Sequence, residues 1–134
     1  MLTRSRAIAK RKAVIAVVIP CFRVKVHILE VLAKIGPEVE KIFVIDDQCP
    51  EGTGGWVRSQ CKDPRVVVYV NQGNLGVGGA TLKGFELAKE AGAEIVVKID
   101  GDGQMDPSQL PRLIRPILEH RCDYAKGNRF FSPT

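Results

Sequence analysis

The chain is poor in aromatic residues: one Trp, two Tyr and five Phe among 134 residues. Those rings are not interleaved with the basic residues, so the stacking platforms that single-stranded nucleic acid needs are missing. No nucleic-acid partner is expected. Long apolar runs are missing too. The longest, "AVIAVVIP" from Ala13 to Pro20, falls far short of the roughly 20 residues a membrane-spanning helix requires. Its β-branched content reads instead as a buried strand. The basic leader before it has neither an extended apolar segment nor a small-residue cleavage site, so no signal peptide is expected. Cys21, Cys49, Cys61 and Cys122 include no C-x-x-C pair. Metal-thiolate spacing is therefore absent, and the cysteines read as reduced, partly buried thiols of a cytosolic chain, without a functional role. No internal repeat or low-complexity segment is visible.

What is present is ordinary for a globular domain: 45% apolar and 26% charged residues, at a length that supports one core and not two. The net charge is +5, and Arg4, Arg6, Lys10, Arg11 and Lys12 all precede the first strand. Residues 1–12 thus read as a basic tail, either solvated or drawn to anionic lipid headgroups. Residues 13–134 read as a single domain.

Strand-like runs are expected at Val14–Ile19, Lys41–Ile45, Val66–Val70 and Glu94–Ile99, with a fifth starting near Tyr124. Helical periodicity places helices at Lys25–Ile35, Thr53–Cys61, Gly78–Ala91 and Pro107–His120. Gly36-Pro37 stops the first helix, and Asp106 with Pro107 starts the last. Near-continuous apolar strands alternating with helices predict an α/β fold with a mostly parallel sheet covered on both faces. Ligands of such sheets bind beyond the carboxyl ends of the strands. Four polar clusters fall there and should share one rim: Pro20-Cys21-Phe22, Asp46-Asp47, Asn71 to Gly79, and Asp100 to Asp106.

In "VVKIDGDGQMDP", Asp100 and Asp102 with the amide of Gln104 suit a hard divalent cation that keeps some waters and takes phosphate oxygens. A polar turn accounts for Asp106 alone. An EF-hand loop fails, because Met105 stands where Gly is needed and Pro111 where Glu is needed. Asp46-Asp47 has two uses: accepting from a nucleobase N–H or ribose hydroxyls, or capping the helix after Gly52. A receiver domain would carry its acid pair after the first strand, not here. "NQGNLGVGGATLKG" approximates a dinucleotide fingerprint through Gly76 and Gly78, but Thr81 breaks it and it follows the third strand rather than the first.

Taken in order, "VVIPCF", "VIDDQCPEGTG", "NQGNLGVGGA", "IDGDGQMDP" and "KGNRF" resemble the successive signature segments of glycosyltransferase family 2, which has the GT-A fold. The nearest likeness is to the polyprenyl-phosphate hexosyltransferases, and it covers residues 13 to 130. The resemblance implies a nucleotide-sugar pocket at Pro20, Phe22, Asp46, Asp47, Asn74, Gly76, Asp100 and Gly101. It implies Mg²⁺ or Mn²⁺ held by Asp100, Asp102 and Gln104, with Asp102 and the phosphate-binding Arg129 serving the chemistry. The donor would be a GDP- or UDP-hexose, the acceptor a lipid phosphate, and the reaction inverting. A lipid phosphate is already ionised at neutral pH, whereas a hydroxyl acceptor would need a base that the chain does not offer. Contact with the cytoplasmic face of a membrane would follow, and the acceptor-binding half would lie beyond residue 134.

Two departures stand out. Arg23-Val24 replaces the family's usual Asn-Glu, and Val77 replaces a Lys; both bear on nucleotide-sugar preference. The competing readings are a non-catalytic nucleotide-sugar-binding module and a dinucleotide-binding oxidoreductase domain.

Overall fold

The computed structural model of the protein describes residues 13–119. Strand β1 (Ile15–Cys21) leads through α1 (Lys25–Ala33) to β2 (Lys41–Asp46), and α2 (Thr53–Gln60) leads to β3 (Val66–Val70). Helix α3 (Gly76–Glu90) then returns the chain to β4 (Ile95–Lys98), followed by a 3-10 turn (Pro107–Gln109) and α4 (Leu110–Leu118). The sheet order is β3-β2-β1-β4, and every pairing is parallel.

Strand β1 is central, and all seven of its residues are buried. Side chains alternate across the sheet, so β1 feeds two cores. Ile15, Val17, Ile19 and Cys21 join Ile42, Val44, Ile28, Val57, Leu110 and Ile114, which places α1, α2 and α4 on one face. Ala16 and Val18 join Phe43, Ile45, Ala80 and Ala88 beneath α3 on the other. Helix α3 turns Ala80, Gly84 and Ala88 toward the sheet. This i, i+4, i+8 row of small residues lets it lie close: a Cβ built on Gly84 would overlap Val18 Cγ1.

The elements expected from the sequence within the described residues all form, β3 with the expected ends and the others with shifted ones. Strand β1 continues through Pro20 to Cys21. Its pairing with β4 ends at Val18↔Lys98, so Pro20 has a paired neighbour only on the β2 side, where proline is tolerated. Helix α1 stops at Ala33 because Lys34 and Ile35 donate to Val31 and Leu32, tightening the exit into i→i−3 bonds. Helix α3 starts two residues early, at Gly76. The last helix opens as a 3-10 turn, with Asp106 as N-cap accepting from Ser108 N and Pro107 in its first turn. The expected strand near Tyr124, Arg129 and the basic tail of residues 1–12 lie outside the described residues.

Candidate functional site

Because all four strands are parallel, their carboxyl ends form one rim. From β1 the chain turns toward β2 over one face of the sheet, and it enters β4 from α3 on the opposite face. That reversal opens a crevice between the tips of β1 and β4.

At the end of β2 the acid pair divides. Asp46 continues the Ile42, Val44 side of the strand, toward α2. It is 4% exposed; Oδ1 accepts from Cys49 N at 2.7 Å and Oδ2 from Gly54 N at 2.7 Å. Those bonds satisfy an otherwise orphaned N–H in the first turn of α2, that of Gly54, and the N–H of Cys49 in the turn before it. Asp47 is turned the other way, toward α3. Its Oδ1 accepts from Asn71 Nδ2 and Leu75 N, both at 2.8 Å, and its Oδ2 from Gly76 N at 2.9 Å. The glycine-rich segment is thus tied down by a carboxylate from the neighbouring strand.

The other strand-end turns are tied as firmly. Arg23 and Gln48 both have φ of 59°, a left-handed conformation that side-chain-bearing residues adopt at a cost. Arg23 N donates to Cys49 Sγ at 3.0 Å, and Gln48 Nε2 donates to Asn71 O at 2.7 Å. Thr53 Oγ1 also bonds Cys49 Sγ, at 3.2 Å. Burial pushes the Cys49 thiol up, but the bonds from Thr53 and Arg23 outweigh it and hold the thiol below its ordinary value. Cys21 goes the other way: burial, then the nearby Asp46 charge, push it far above that value. Cys21, Cys49 and Cys61 are free thiols.

After β4, Gly103 with φ of 82° lets the acid loop double back, since only glycine takes that conformation without strain. Asp102 Oδ1 accepts from Gln104 N at 3.0 Å. Asp100 Oδ1 lies 3.0 Å from Lys98 Nζ.

These segments enclose a cleft of about 380 Å³. Its walls carry Pro20, Phe22, Asp47, Asn74, Gly76, Asp100, Gly101 and Asp102, eight of the residues expected from the sequence. Val24 and Val77, at the positions that depart from the family pattern, line it as well, and the Arg23 guanidinium sits 5.3 Å above the Phe22 ring. Two expected residues are not brought there. Asp46 is spent on α2, and Gln104 is exposed away from the wall. Cys49, read as inert, proves to anchor the turn that carries Phe22.

Among the described residues no three His, Cys, Asp or Glu side chains cluster to hold a metal. A closed protein cage is therefore absent from that region. Two carboxylates on an open cleft wall match a different arrangement, that of a Mg²⁺-like cation completing its shell with water and diphosphate oxygens.

Residues 16–134 match the family described as "Glycosyl transferase family 2". The chain belongs to glycosyltransferase family 2. One family relative is the undecaprenyl-phosphate mannosyltransferase of Micrococcus luteus, 37% identical over 66% of this chain and 36% of that protein. The fold is of GT-A type. It superimposes on mannosyl-3-phosphoglycerate synthase from Rubrobacter xylanophilus with a TM-score of 0.68 at 22% identity, over 86% of this chain and 39% of that one. A mannosyltransferase from Pyrobaculum calidifontis, solved with GDP-Man and Mn²⁺, gives 0.55 at 18% identity over 75% and 33%. The chain spans between 28% and 44% of the lengths of the first three curated relatives it matches.

Proposed function

We propose that this chain supplies the donor-binding part of a metal-dependent, inverting hexosyltransferase. The donor is a GDP- or UDP-hexose and the acceptor a polyprenyl phosphate. The observation that carries this reading is the meeting of Asp100 and Asp102 with Asp47 and the start of α3 in the lining of one cleft. Such a lining offers acceptors for a nucleoside and carboxylates for a cation.

Asp47 spends three bonds on Asn71, Leu75 and Gly76; an ionised carboxylate has about four acceptor sites, so one is left for a base N–H or ribose hydroxyl. Phe22 and Pro20 flank the nucleoside, and Asn74, Gly76 and Gly101 let it approach the backbone. Asp46 acts indirectly, by fixing the turn that presents Asp47. Asp100 and Asp102 would hold Mg²⁺ or Mn²⁺, which when bound would neutralise charge developing on the departing diphosphate; Gln104, outside the lining, is left out of that ligand set. Arg129, carried over from the family likeness, adds a guanidinium fork for phosphate.

The acceptor class is supported by the lipid-phosphate substrate named for the Micrococcus luteus relative. Donor and metal are supported by the GDP-Man and Mn²⁺ of the Pyrobaculum calidifontis structure. A lipid acceptor places the work at a membrane surface, which we assign to the cytoplasmic face, with the basic tail of residues 1–12 in peripheral contact. No described helix is long and apolar enough to cross a membrane. A dinucleotide-binding oxidoreductase is disfavoured. Two of the N–H groups at the start of α3 that would face a pyrophosphate in such a domain, those of Leu75 and Gly76, are already taken by Asp47.

Calorimetric titration with GDP and UDP, with and without Mn²⁺ or Mg²⁺, tests the reading. Metal-dependent binding that disappears in Asp102→Ala supports it; binding indifferent to both the metal and that substitution overturns it.

A further inference from the structure

The ion pair at the end of β4 is not used by the mechanism above. Lys98 is the last residue of β4, and Asp100 follows two residues later in the loop that leaves it. Lys98 is paired in register with Val18 of β1, the last pair of that ladder before the strand end. Its Nζ lies 3.0 Å from Asp100 Oδ1, with the side chains 38% and 31% exposed. The contact is thus neither buried nor remote; it sits within reach of whatever enters the cleft that Asp100 lines.

We propose that Lys98 is a resident counter-ion of the acid loop, which couples entry of the divalent cation to entry of the donor diphosphate. This inference rests on the donor-and-metal reading of the cleft. With the cleft empty, the ammonium neutralises Asp100, so a divalent cation arriving alone meets a weakened ligand and a like charge. A nucleoside diphosphate changes the balance by bringing phosphate oxygens. An ammonium is a compact charge on a flexible stem with three donors. Lys98 can therefore turn from the carboxylate to a phosphate oxygen, and Asp100 is released to the cation. Metal and diphosphate then each tighten the other's binding by the same factor, as linkage requires. No covalent step is involved; one ionic contact is exchanged for two.

The test measures Mn²⁺ binding alone, by electron paramagnetic resonance of the free ion, and GDP or UDP binding with and without Mn²⁺ by calorimetry. Lys98→Met and Lys98→Gln remove the charge, while Lys98→Arg keeps it. Both neutral variants should bind Mn²⁺ alone about fivefold more tightly, the scale of a partly exposed ion pair. Their Mn²⁺-dependent gain in diphosphate affinity should shrink by at least as much, and Lys98→Arg should keep most of the wild-type coupling. Having two neutral variants guards against one that fails to fold. Should neutral variants bind lone Mn²⁺ no better than wild type, while wild type still binds the diphosphate in a metal-dependent way, the counter-ion role is wrong and the cleft reading stands. Should wild type show no metal-dependent diphosphate binding, the cleft reading fails and this inference with it.

Discussion

Asp46 and Asp47 are adjacent in the chain, yet their carboxylates serve helices on opposite faces of the sheet. Asp46 accepts from Gly54 N in the first turn of α2, and Asp47 from Gly76 N at the start of α3. The alternation of a strand makes this unavoidable once β2 is buried on both faces. One member of the pair is therefore structural, and the other faces the cleft.

Asp46→Ala should cost about 2–4 kcal/mol of stability, because it strands the buried N–H groups of Cys49 and Gly54. Urea denaturation would show a lower midpoint with an unchanged slope. A loss below about 0.5 kcal/mol would mean those donors find other partners.

Asp102→Ala should behave in the opposite way. Its carboxylate bonds Gln104 N in an exposed turn, so the stability loss should stay below about 1 kcal/mol, while metal-dependent diphosphate binding disappears. Chelation of the metal from the wild-type protein should reproduce that binding loss without changing the denaturation midpoint measured in the absence of nucleotide.

Gly84→Ala pushes a methyl into Val18, and the overpacking should cost about 1–3 kcal/mol. Combined with Val18→Ala it should cost less than the sum of the two single changes, by about 0.5 kcal/mol or more. Strict additivity in a double-mutant cycle would show that α3 rides away from β1 instead.

Arg65 spends its guanidinium on Asp63, at 2.7 Å, and on the carbonyls of Gly36, Val39 and Ile35. The Arg65 hydrogen bond holds the Asp63 carboxyl below the usual carboxylate range. The stability it contributes is therefore full above the unfolded value near pH 4 and fades as pH falls through the lower folded value. Asp63→Asn should lower stability at neutral pH by about 1 kcal/mol or less, with the gap to wild type closing in acid. Arg65→Lys should not rescue Arg65→Ala, because an ammonium cannot span three carbonyls and a carboxylate.

Much of this was legible beforehand. The apolar run of β1, rich in β-branched residues, announces a strand buried on both faces, and Asp106-Pro107 marks a helix start by local chemistry alone. The rim itself followed from strand polarity. Where the reading stopped short, the missing quantity was a direction. Asp46 and Asp47 look equivalent as letters, and telling them apart requires knowing which face carries α2 and which carries α3. Period-two counting from Ile42 and Val44 would have shown that the two acids diverge, but not onto which helix.

The sequence by itself determined the elements, their order along the chain and the parallel sheet, because these follow from local periodicity, breakers and caps that act within a few residues; the family showed in the likeness of five ordered segments. Only the tertiary structure decided that Asp46 supports α2, that Asp47 fastens the glycine-rich segment, and that Cys49 anchors the Arg23 turn. Those bonds join residues 24 to 29 positions apart, or select one face of a strand over the other. Pairings at that range depend on how helices are laid across the sheet, which no local pattern encodes.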